Sequence, residues 1–297
     1  MSSSASADSL RYLRDLVYRR SAIVVEPGKE YLLEARLLPL AKEEAAAGGA
    51  PSLDGLVRRL REHPESHPLH TRVVEAMTTN ETSFFRDVHP FETLKNVVLP
   101  SLIKARASTR QLRIWCAAAS TGQEPYSIAL TIREHFPQLA SWSVQIIATD
   151  INETVLARAR AGTYKQLEVN RGMPAPLLIK YFDKTPHGDW QLKPDVRNLV
   201  SYQHLNLLEK WPMMGRHDIV FIRNVLIYFD LQTKRDILRR IRETCLKSDG
   251  ALFLGGAETT MNLDDSFEVV RAPKTVFYMQ RDSAAAATRN ASPETNS

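Results

Sequence analysis

The chain has 297 residues, 43% of them hydrophobic and 8% aromatic, which suits a globular protein of about two compact units and excludes a low-complexity or fibrous one. No run approaches the ~20 apolar residues that span a bilayer, and Met1–Leu10 has no apolar core of the signal-peptide kind, so neither membrane insertion nor a secretory leader is expected. A formal net charge of +5 permits an acidic partner without demanding nucleic acid. Residues 1–75 read as a helical unit. Leu10, Leu13, Leu16 and Val17 fall at helical spacing. Tyr31–Leu38 forms a second short helix pattern, expected to break at Pro39. An Ala-rich run over 43–50 leads into Gly48-Gly49-Ala50-Pro51, a clear punctuation. Ser52 is placed to cap a helix burying Leu53, Leu56, Val57 and Leu60. The other face of that helix carries Arg58, Arg59 and Arg61, and Pro64 and Pro68 are expected to end it. Thr71–Met77 restarts a helix or forms a hinge.

From Leu112 the pattern alternates. Strands are predicted over Leu112–Cys116, Val144–Thr149, Ile219–Ile222 and Ala251–Leu254, with helices over Tyr126–His135, Glu153–Ala161 and Thr233–Leu246. The fold class this implies is α/β, with a doubly wound, mostly parallel sheet over residues 76–282. Asn152 is expected to cap the second of these helices and Gly162 to close it, while Gly250 ends the third. Residues 165–200 are rich in Pro and Gly and place Trp190, Leu192, Val196, Leu199 and Val200 at near-alternating positions, which predicts a small antiparallel β insertion. Residues 283–297 are Ala/Ser/Thr/Asn-rich, and a disordered tail is expected there. Cys116 and Cys245 lie far apart and read as buried, reduced thiols of a cytoplasmic protein.

In an open α/β sheet, ligands bind beyond the C-terminal ends of the strands. The first such loop is Ala117-Ala118-Ala119-Ser120-Thr121-Gly122-Gln123-Glu124. It has small residues that let a ligand lie against backbone, but neither the Gly-Lys-Ser/Thr ending of a P-loop nor three spaced glycines. Glu124 would repel phosphate and fits a cationic or hydroxyl-rich ligand, which points to S-adenosylmethionine. Asp150, after the second strand, has two carboxylate oxygens for a pair of ribose hydroxyls. It could instead cap the next helix, a task Asn152 can perform. Asn224 and Tyr228, in Arg223-Asn224-Val225-Leu226-Ile227-Tyr228-Phe229, border the same strand ends. Upstream, Thr78–Asp87 mixes hydroxyls, an amide, two aromatics and Arg86; its spacing fits either a ligand cleft or a capped helix start over buried Phe84 and Phe85. No His/Cys cluster has metal-ligand spacing, His63, His67 and His70 read as solvated, and no metal is expected.

Four stretches taken together resemble one family. They are Thr79-Asn80-Glu81-Thr82-Ser83-Phe84-Phe85-Arg86, Ala118–Ser127, Ala148-Thr149-Asp150-Ile151 and Arg223–Phe229. Their order and content are similar to those of the CheR family, the chemotaxis receptor methyltransferases, over roughly residues 10–280. The resemblance implies a small all-helical N-terminal domain and a Rossmann-like S-adenosylmethionine-dependent methyltransferase domain carrying a small β-subdomain. It implies esterification of glutamates on the cytoplasmic helices of chemoreceptors, with S-adenosyl-L-homocysteine as the second product: a protein-glutamate O-methyltransferase. By motif matching it implies that Asn80, Thr82 and Arg86 line the methionine end of the cofactor and that Glu124 faces the same end. Asp150 would hold the ribose, Asn206 and Leu207 would flank the adenine, and Asn224 and Val225 would close the pocket. Arg86 and Tyr228 would stand nearest the transferring methyl as catalytic residues.

Two further expectations concern partners. The clustering of Arg58, Arg59 and Arg61 reads either as an ordinary solvated helix face or as a dock for acidic receptor helices. Some members of the family add a receptor's C-terminal pentapeptide tether to the β-subdomain as an extra strand. Those members tend to carry a Gly-rich turn, whereas Lys184-Thr185-Pro186-His187-Gly188-Asp189-Trp190 holds one Gly, so a tether-independent enzyme is expected. The alternatives are a methyltransferase of another protein or of a small molecule, and a module that senses S-adenosylmethionine without catalysis. Amino-methylating enzymes place an Asn/Asp-Pro-Pro-aromatic turn where this chain has Asn224-Val225-Leu226-Ile227, which argues against a base-methylating enzyme.

Overall fold

The structure, a computed structural model, describes residues 5–45 and 51–281. The Gly48–Ala50 punctuation and the 283–297 tail expectation lie outside the described residues. The chain divides into two units: residues 1–79 with 206–210 and 228–233, and a larger one of 80–205, 211–227 and 234–297.

The smaller unit is built on α1 (Ala7–Ser21), α2 (Tyr31–Glu44), α3 (Leu53–Glu62) and α4 (Pro68–Met77). Ser6 and Ser52 cap α1 and α3 by accepting N–H bonds from Ser9 and Gly55. Leu13, Leu16, Val17, Leu33, Leu37, Leu56, Leu60 and Val73 pack as its core. Two expectations fail here. Pro39 does not end α2, because Leu37, Leu40 and Ala41 are buried on both sides of it and packing carries the helix through the lost hydrogen bond. Pro68 does not end α3 but opens α4 at a first-turn position, where its missing N–H would have no partner anyway. His70 is also not solvated: it is 1% exposed, and burial pushes its imidazole below the usual range. His63 and His67 are half-buried with rings stacked at 3.9 Å.

In the larger unit, α5 (His89–Thr93) passes through a π-turn (Leu94–Val98) into α6 (Leu99–Ala105). Then come β1 (Gln111–Ala117), α7 (Gln123–His135), β2 (Ser143–Asp150) and α8 (Glu153–Ala161), the last with the expected bounds. Asn152 caps α8 through Val155 N–H, and Gly162, at φ +64°, closes it. The insertion follows: β3 (Thr163–Tyr164), α9 (Gln166–Asn170), α10 (Ala175–Tyr181), β4 (Phe182–Lys184), β5 (Trp190–Leu192) and α11 (Pro194–Arg197). Its three strands form an antiparallel sheet in the order β3-β5-β4. Val200, expected at the end of the insertion, instead opens β6 (Val200–His204) of the main sheet. The chain continues with β7 (His217–Ile222), α12 (Leu231–Arg240), β8 (Leu246–Leu254), β9 (Phe267–Ala272) and β10 (Thr275–Gln280).

The main sheet runs β6-β2-β1-β7-β8-β10-β9. β6, β2, β1, β7 and β8 are parallel neighbours, and β10 is antiparallel to both β8 and β9. Strands buried on both faces need near-continuous apolar runs, which is why Ile219–Ile222, and Leu112–Cys116 with its half-buried Arg113, are readable from sequence. Phe91, Phe221, Phe253 and Phe277 stack at successive centroid distances of 6.1, 4.4 and 5.8 Å across one face. The last predicted helix needs correction. It ends at a π-turn over Ile241–Cys245, and Gly250 lies inside β8. His217 pairs with Leu246 and Ile219 with Ala251, so β8 bulges there; a Cβ on Gly250 would lie 3.0 Å from the Asp218 and Lys247 carbonyl oxygens. Cys116 and Cys245 are buried and free. No helix among the described residues is long and apolar enough to cross a membrane.

Candidate active site

Chain order reverses between β1 and β7: β1, β2 and β6 extend one way and β7 and β8 the other. A crevice at such a switch point is where sheets of this kind bind ligands. The backbone around it is unusual. Phe85, Asp87, Val88, Ala118, Ser120 and Asn224 account for six of the ten non-glycine residues with positive φ among those described. Positive φ values are thus concentrated in the segment before α5 and in the loops after β1 and β7, as at sites where backbone is held for function.

The loop after β1 is fixed from several sides. Ala119 N–H donates to Thr149 O at 2.9 Å, Ser120 N–H to Asp150 Oδ2 at 2.9 Å, and Ser120 Oγ to Asn80 O at 2.9 Å. Tyr164, on β3, donates its hydroxyl to Thr121 O at 2.8 Å. Gly122 has φ +93°, and a Cβ there would sit 2.6 Å from Tyr202 Oη. Asp150 Oδ1 accepts Asn152 N–H at 2.9 Å, while Asn152 does the capping of α8. Asp150 is 6% exposed, and burial raises its carboxyl above the usual range against the pull of those N–H donors. Ile151 N–H is a third backbone donor to this carboxylate, so three of its roughly four lone-pair sites face the chain and at least one remains for a ligand.

The segment from Asn80 is not a helix start; helix begins only at His89. Phe84 is buried edge-on against Tyr164 and Phe182, at 4.9 and 5.9 Å, and Phe85 N–H donates to Ser127 Oγ at 2.9 Å. Phe84 therefore belongs to the core and anchors the segment. Half-buried Arg86 donates to Glu81 O at 3.0 Å. Arg223, at the end of β7, has no role of its own in the sequence motifs, and it proves to be the hub. Its side chain is 1% exposed and meets Glu124 Oε2 at 2.8 Å, Asp87 Oδ2 at 2.7 Å and Arg86 O at 3.2 Å. Its Nε is buried without a hydrogen-bond partner. Glu124 is pushed up by burial and pulled back down by Arg223, with burial the stronger. Glu258 also escapes sequence reasoning. Its carboxylate accepts the N–H groups of Asn224 (2.8 Å), Val225 (2.9 Å) and Gly255 (2.6 Å), with Ile227 N–H at 3.3 Å. The one signal that could have found it is position: Glu258 follows β8 as Glu124 follows β1.

Asn80, Thr82, Arg86, Glu124, Asp150, Asn224 and Val225 all lie in the larger unit. Asn206, Leu207 and Tyr228 do not. Asn206 and Leu207 fall in the 206–210 segment of the smaller unit, and Tyr228 in its 228–233 segment. The Asn206 amide donates to Arg20 O at 2.7 Å and Glu209 Oε1 at 3.1 Å and accepts Leu208 N–H at 3.0 Å. Leu207 is 8% exposed. Tyr228, half-buried in a 3₁₀ turn, accepts Val24 N–H on its carbonyl at 3.0 Å. The three arginines expected to dock receptor helices do not form a free cationic face. Arg59 pairs with Glu44 at 3.1 Å, and Arg61 pairs with Asp8 at 2.8 Å and covers the Tyr12 ring; Arg58 is exposed.

The donor set suits S-adenosylmethionine. A buried carboxylate at the end of β2 matches ribose hydroxyls, Arg86 and Glu124 offer opposite charges to a zwitterion, and the small residues of 117–122 admit a ligand to the backbone. No group of His, Cys, Asp and Glu among the described residues is arranged as a metal site. A mostly parallel seven-stranded sheet with this strand order and these strand-end groups is the Rossmann-like fold of S-adenosylmethionine-dependent methyltransferases. Residues 80–276 match the CheR methyltransferase SAM binding domain, and residues 8–78 match the CheR methyltransferase all-alpha domain. The chain belongs to the CheR methyltransferase family. It is similar to chemotaxis protein methyltransferase 1 of Pseudomonas aeruginosa, at 44% identity over 93% of this chain and 98% of that one. It is also similar to chemotaxis protein methyltransferase Cher2 of Pseudomonas putida, at 41% identity over 90% and 96%. The chemotaxis protein methyltransferase of Vibrio parahaemolyticus is 39% identical over 86% and 90%.

Proposed function

We propose that the protein methylates glutamate side chains on the cytoplasmic helices of chemoreceptors, forming methyl esters and S-adenosylhomocysteine in a chemotaxis or related signalling pathway of the cytoplasm. The observation that carries this reading is the buried Arg223 hub, which ties Arg86 and Asp87 to Glu124 beside the loop after β1. S-adenosylmethionine, when bound, supplies an electrophilic methyl on a positively charged sulfur. The acceptor carboxylate is already ionised near pH 7, because its reference pKa is about 4.3, so no general base is required. The carboxylate oxygen bonds to the methyl carbon while the carbon–sulfur bond breaks, its electron pair staying on sulfur. Negative and positive charge cancel as this happens. A pocket that excludes water and aligns the two partners therefore favours the transition state over the separated ions.

In this reading Asp150 accepts the ribose hydroxyls, Asn80, Thr82 and Glu124 receive the methionine end, and Asn224 and Val225 close the pocket. Arg86 orients a carboxylate by a bidentate pair, and the Tyr228 hydroxyl orients the acceptor. Asn206 and Leu207 flank the adenine with backbone and aliphatic surface, since both N–H donors of the Asn206 amide are engaged. Arg58, the exposed member of its cluster, leads the docking of acidic receptor helices. The single glycine of the Lys184–Trp190 turn, Gly188, supports a substrate choice that needs no pentapeptide tether. Calorimetric titration of such a peptide is expected to show no low-micromolar binding.

The test is transfer of labelled methyl from S-adenosylmethionine to a purified chemoreceptor cytoplasmic fragment, followed by base treatment. Release of the label as methanol is expected, because a carboxyl ester is base-labile and a methylated amine is not. Arg86→Ala and Tyr228→Phe are each expected to lower the rate on the order of 100-fold, the scale of lost alignment. Base-stable label would identify another methyl acceptor. Cofactor binding with no transfer would identify a sensing module.

A further inference from the structure

Glu258 lies beyond β8, thirty-four residues from Asn224, and the proposed function gives it no role. Its carboxylate is surrounded by donors. Oε2 accepts Asn224 N–H at 2.8 Å and Gly255 N–H at 2.6 Å, and Oε1 accepts Val225 N–H at 2.9 Å and Ile227 N–H at 3.3 Å. Three of these four donors belong to the loop after β7, and the fourth is at the end of β8. Asn224 lies in the left-handed region at φ +58°, which asparagine adopts more readily than other residues with a Cβ, and the Glu258 carboxylate holds its N–H there. The contact is close enough to specify its neighbours. A Cβ on Gly255 would lie 2.7 Å from Glu258 Oε2 and 2.9 Å from Asn224 N, so only glycine lets the two loops approach. Concavities of backbone N–H groups bind anions. Here the anion is built into the chain.

We propose that Glu258 is a positioning residue of the reaction: as an internal anion it organises the Asn224–Ile227 loop that closes the cofactor pocket. It touches no reacting atom and acts through the backbone of Asn224 and Val225. This role rests on the assignment of those two residues to the pocket. A neutral isostere cannot replace the carboxylate. Glutamine would turn an NH₂ donor towards two N–H donors and lose the negative charge that all four share.

The experiment is chemical rescue. Glu258→Ala and Glu258→Gln are purified, their folding is checked by circular dichroism, and S-adenosylhomocysteine binding is measured by calorimetry with and without sodium formate or formamide. Glu258→Ala is expected to weaken binding on the order of 10- to 100-fold, the scale of losing charged hydrogen bonds that orient a binding group. Formate is expected to restore most of it by occupying the vacated N–H nest. Formamide, of similar size but neutral, is expected to restore little, and wild type to respond to neither. Glu258→Gln is expected to be as weak as Glu258→Ala and refractory to formate, because its side chain still fills the nest. If Glu258→Ala binds like wild type, or if formate and formamide act alike, the proposal is overturned. Should the alanine variant not fold, a Glu258→Gln protein that binds like wild type overturns it equally. Binding of S-adenosylhomocysteine does not involve the methyl acceptor. A wild type that binds it but methylates no receptor therefore removes the proposed function and leaves the role of Glu258 standing.

Discussion

Gly122→Ala is the substitution whose effect the structure defines most closely. Gly122 ends the loop after β1 at φ +93° and stands at the N-terminus of α7. An alanine Cβ would lie 2.6 Å from Tyr202 Oη, 3.0 Å from Ala159 Cβ and 3.1 Å from Tyr164 Oη. The left-handed backbone costs about 1–2 kcal/mol for a residue with a Cβ, and overpacking a filled site costs about 1–3 kcal/mol. A destabilisation of about 3 kcal/mol follows from the two together. For a unit of this size that is a fall in Tm of roughly 6–12 °C. The tightest contact is with a single hydroxyl, so Tyr202→Phe is expected to relieve it. In that background Gly122→Ala should cost less than in wild type but still more than the backbone strain of about 1–2 kcal/mol, because the contacts at 3.0 Å with Ala159 Cβ and 3.1 Å with Tyr164 Oη remain. The assay is a double-mutant cycle of chemical denaturation on the four proteins. A Gly122→Ala protein within about 0.5 kcal/mol of wild type, or a cycle with no coupling between 122 and 202, would refute the packing argument.

Three further outcomes are expected. Asp150→Asn keeps one acceptor oxygen of two and loses the charge on both bonds, so calorimetry should show S-adenosylhomocysteine binding weakened roughly 10- to 100-fold. His217 is fully buried, its Nδ1 lies 3.1 Å from Cys245 O, and burial pushes its pKa from 6.5 to about 4. The unfolded chain binds the proton first, so stability is fully present above pH 6.5 and is lost as pH falls towards 4. At about 1.36 kcal/mol per pH unit the interval amounts to about 3 kcal/mol, and urea titrations of His217→Gln should show that slope removed. Charge reversal at Arg58 is expected to raise the KM for receptor several-fold with cofactor affinity unchanged, whereas reversal at Arg59 also breaks the pair with Glu44 and should lower the Tm.

Much of the fold is legible in the sequence because its signals are local. Asn152 and Gly162 bound a helix through their own cap geometry, and a strand buried on both faces, such as Ile219–Ile222, needs no partner to be recognised. β6 escapes because Val200-Ser201-Tyr202-Gln203-His204 is a polar edge strand with one buried residue at its start. β9 and β10 escape because the Pro273-Lys274 link between them is not one of the Asn-Gly or Asp-Gly turns that mark a hairpin, and the apolar run of β10 has no alternation. Gly250 reads as a helix stop because a bulge is a relation between two strands, and the chain shows only one of them. The candidate site divides in the same way. Glu124, Asp150 and Asn224 follow strands and can be found by position. The role of Arg223 depends on Asp87 and Glu124, which are distant in sequence, and that of Glu258 on four backbone groups; neither spacing nor residue type announces such convergence. The arginine cluster on α3 looks like one face because helical periodicity does not reveal the partners Glu44 and Asp8.

The most direct measurement is tandem mass spectrometry of a chemoreceptor cytoplasmic fragment incubated with the purified protein and S-adenosylmethionine. Single-methyl mass increments are predicted on glutamate residues of the receptor helices, with S-adenosylhomocysteine formed one for one. Methyl groups on lysine, arginine or nucleic acid with unmodified glutamates, from a protein that binds the cofactor normally, would contradict the proposed function.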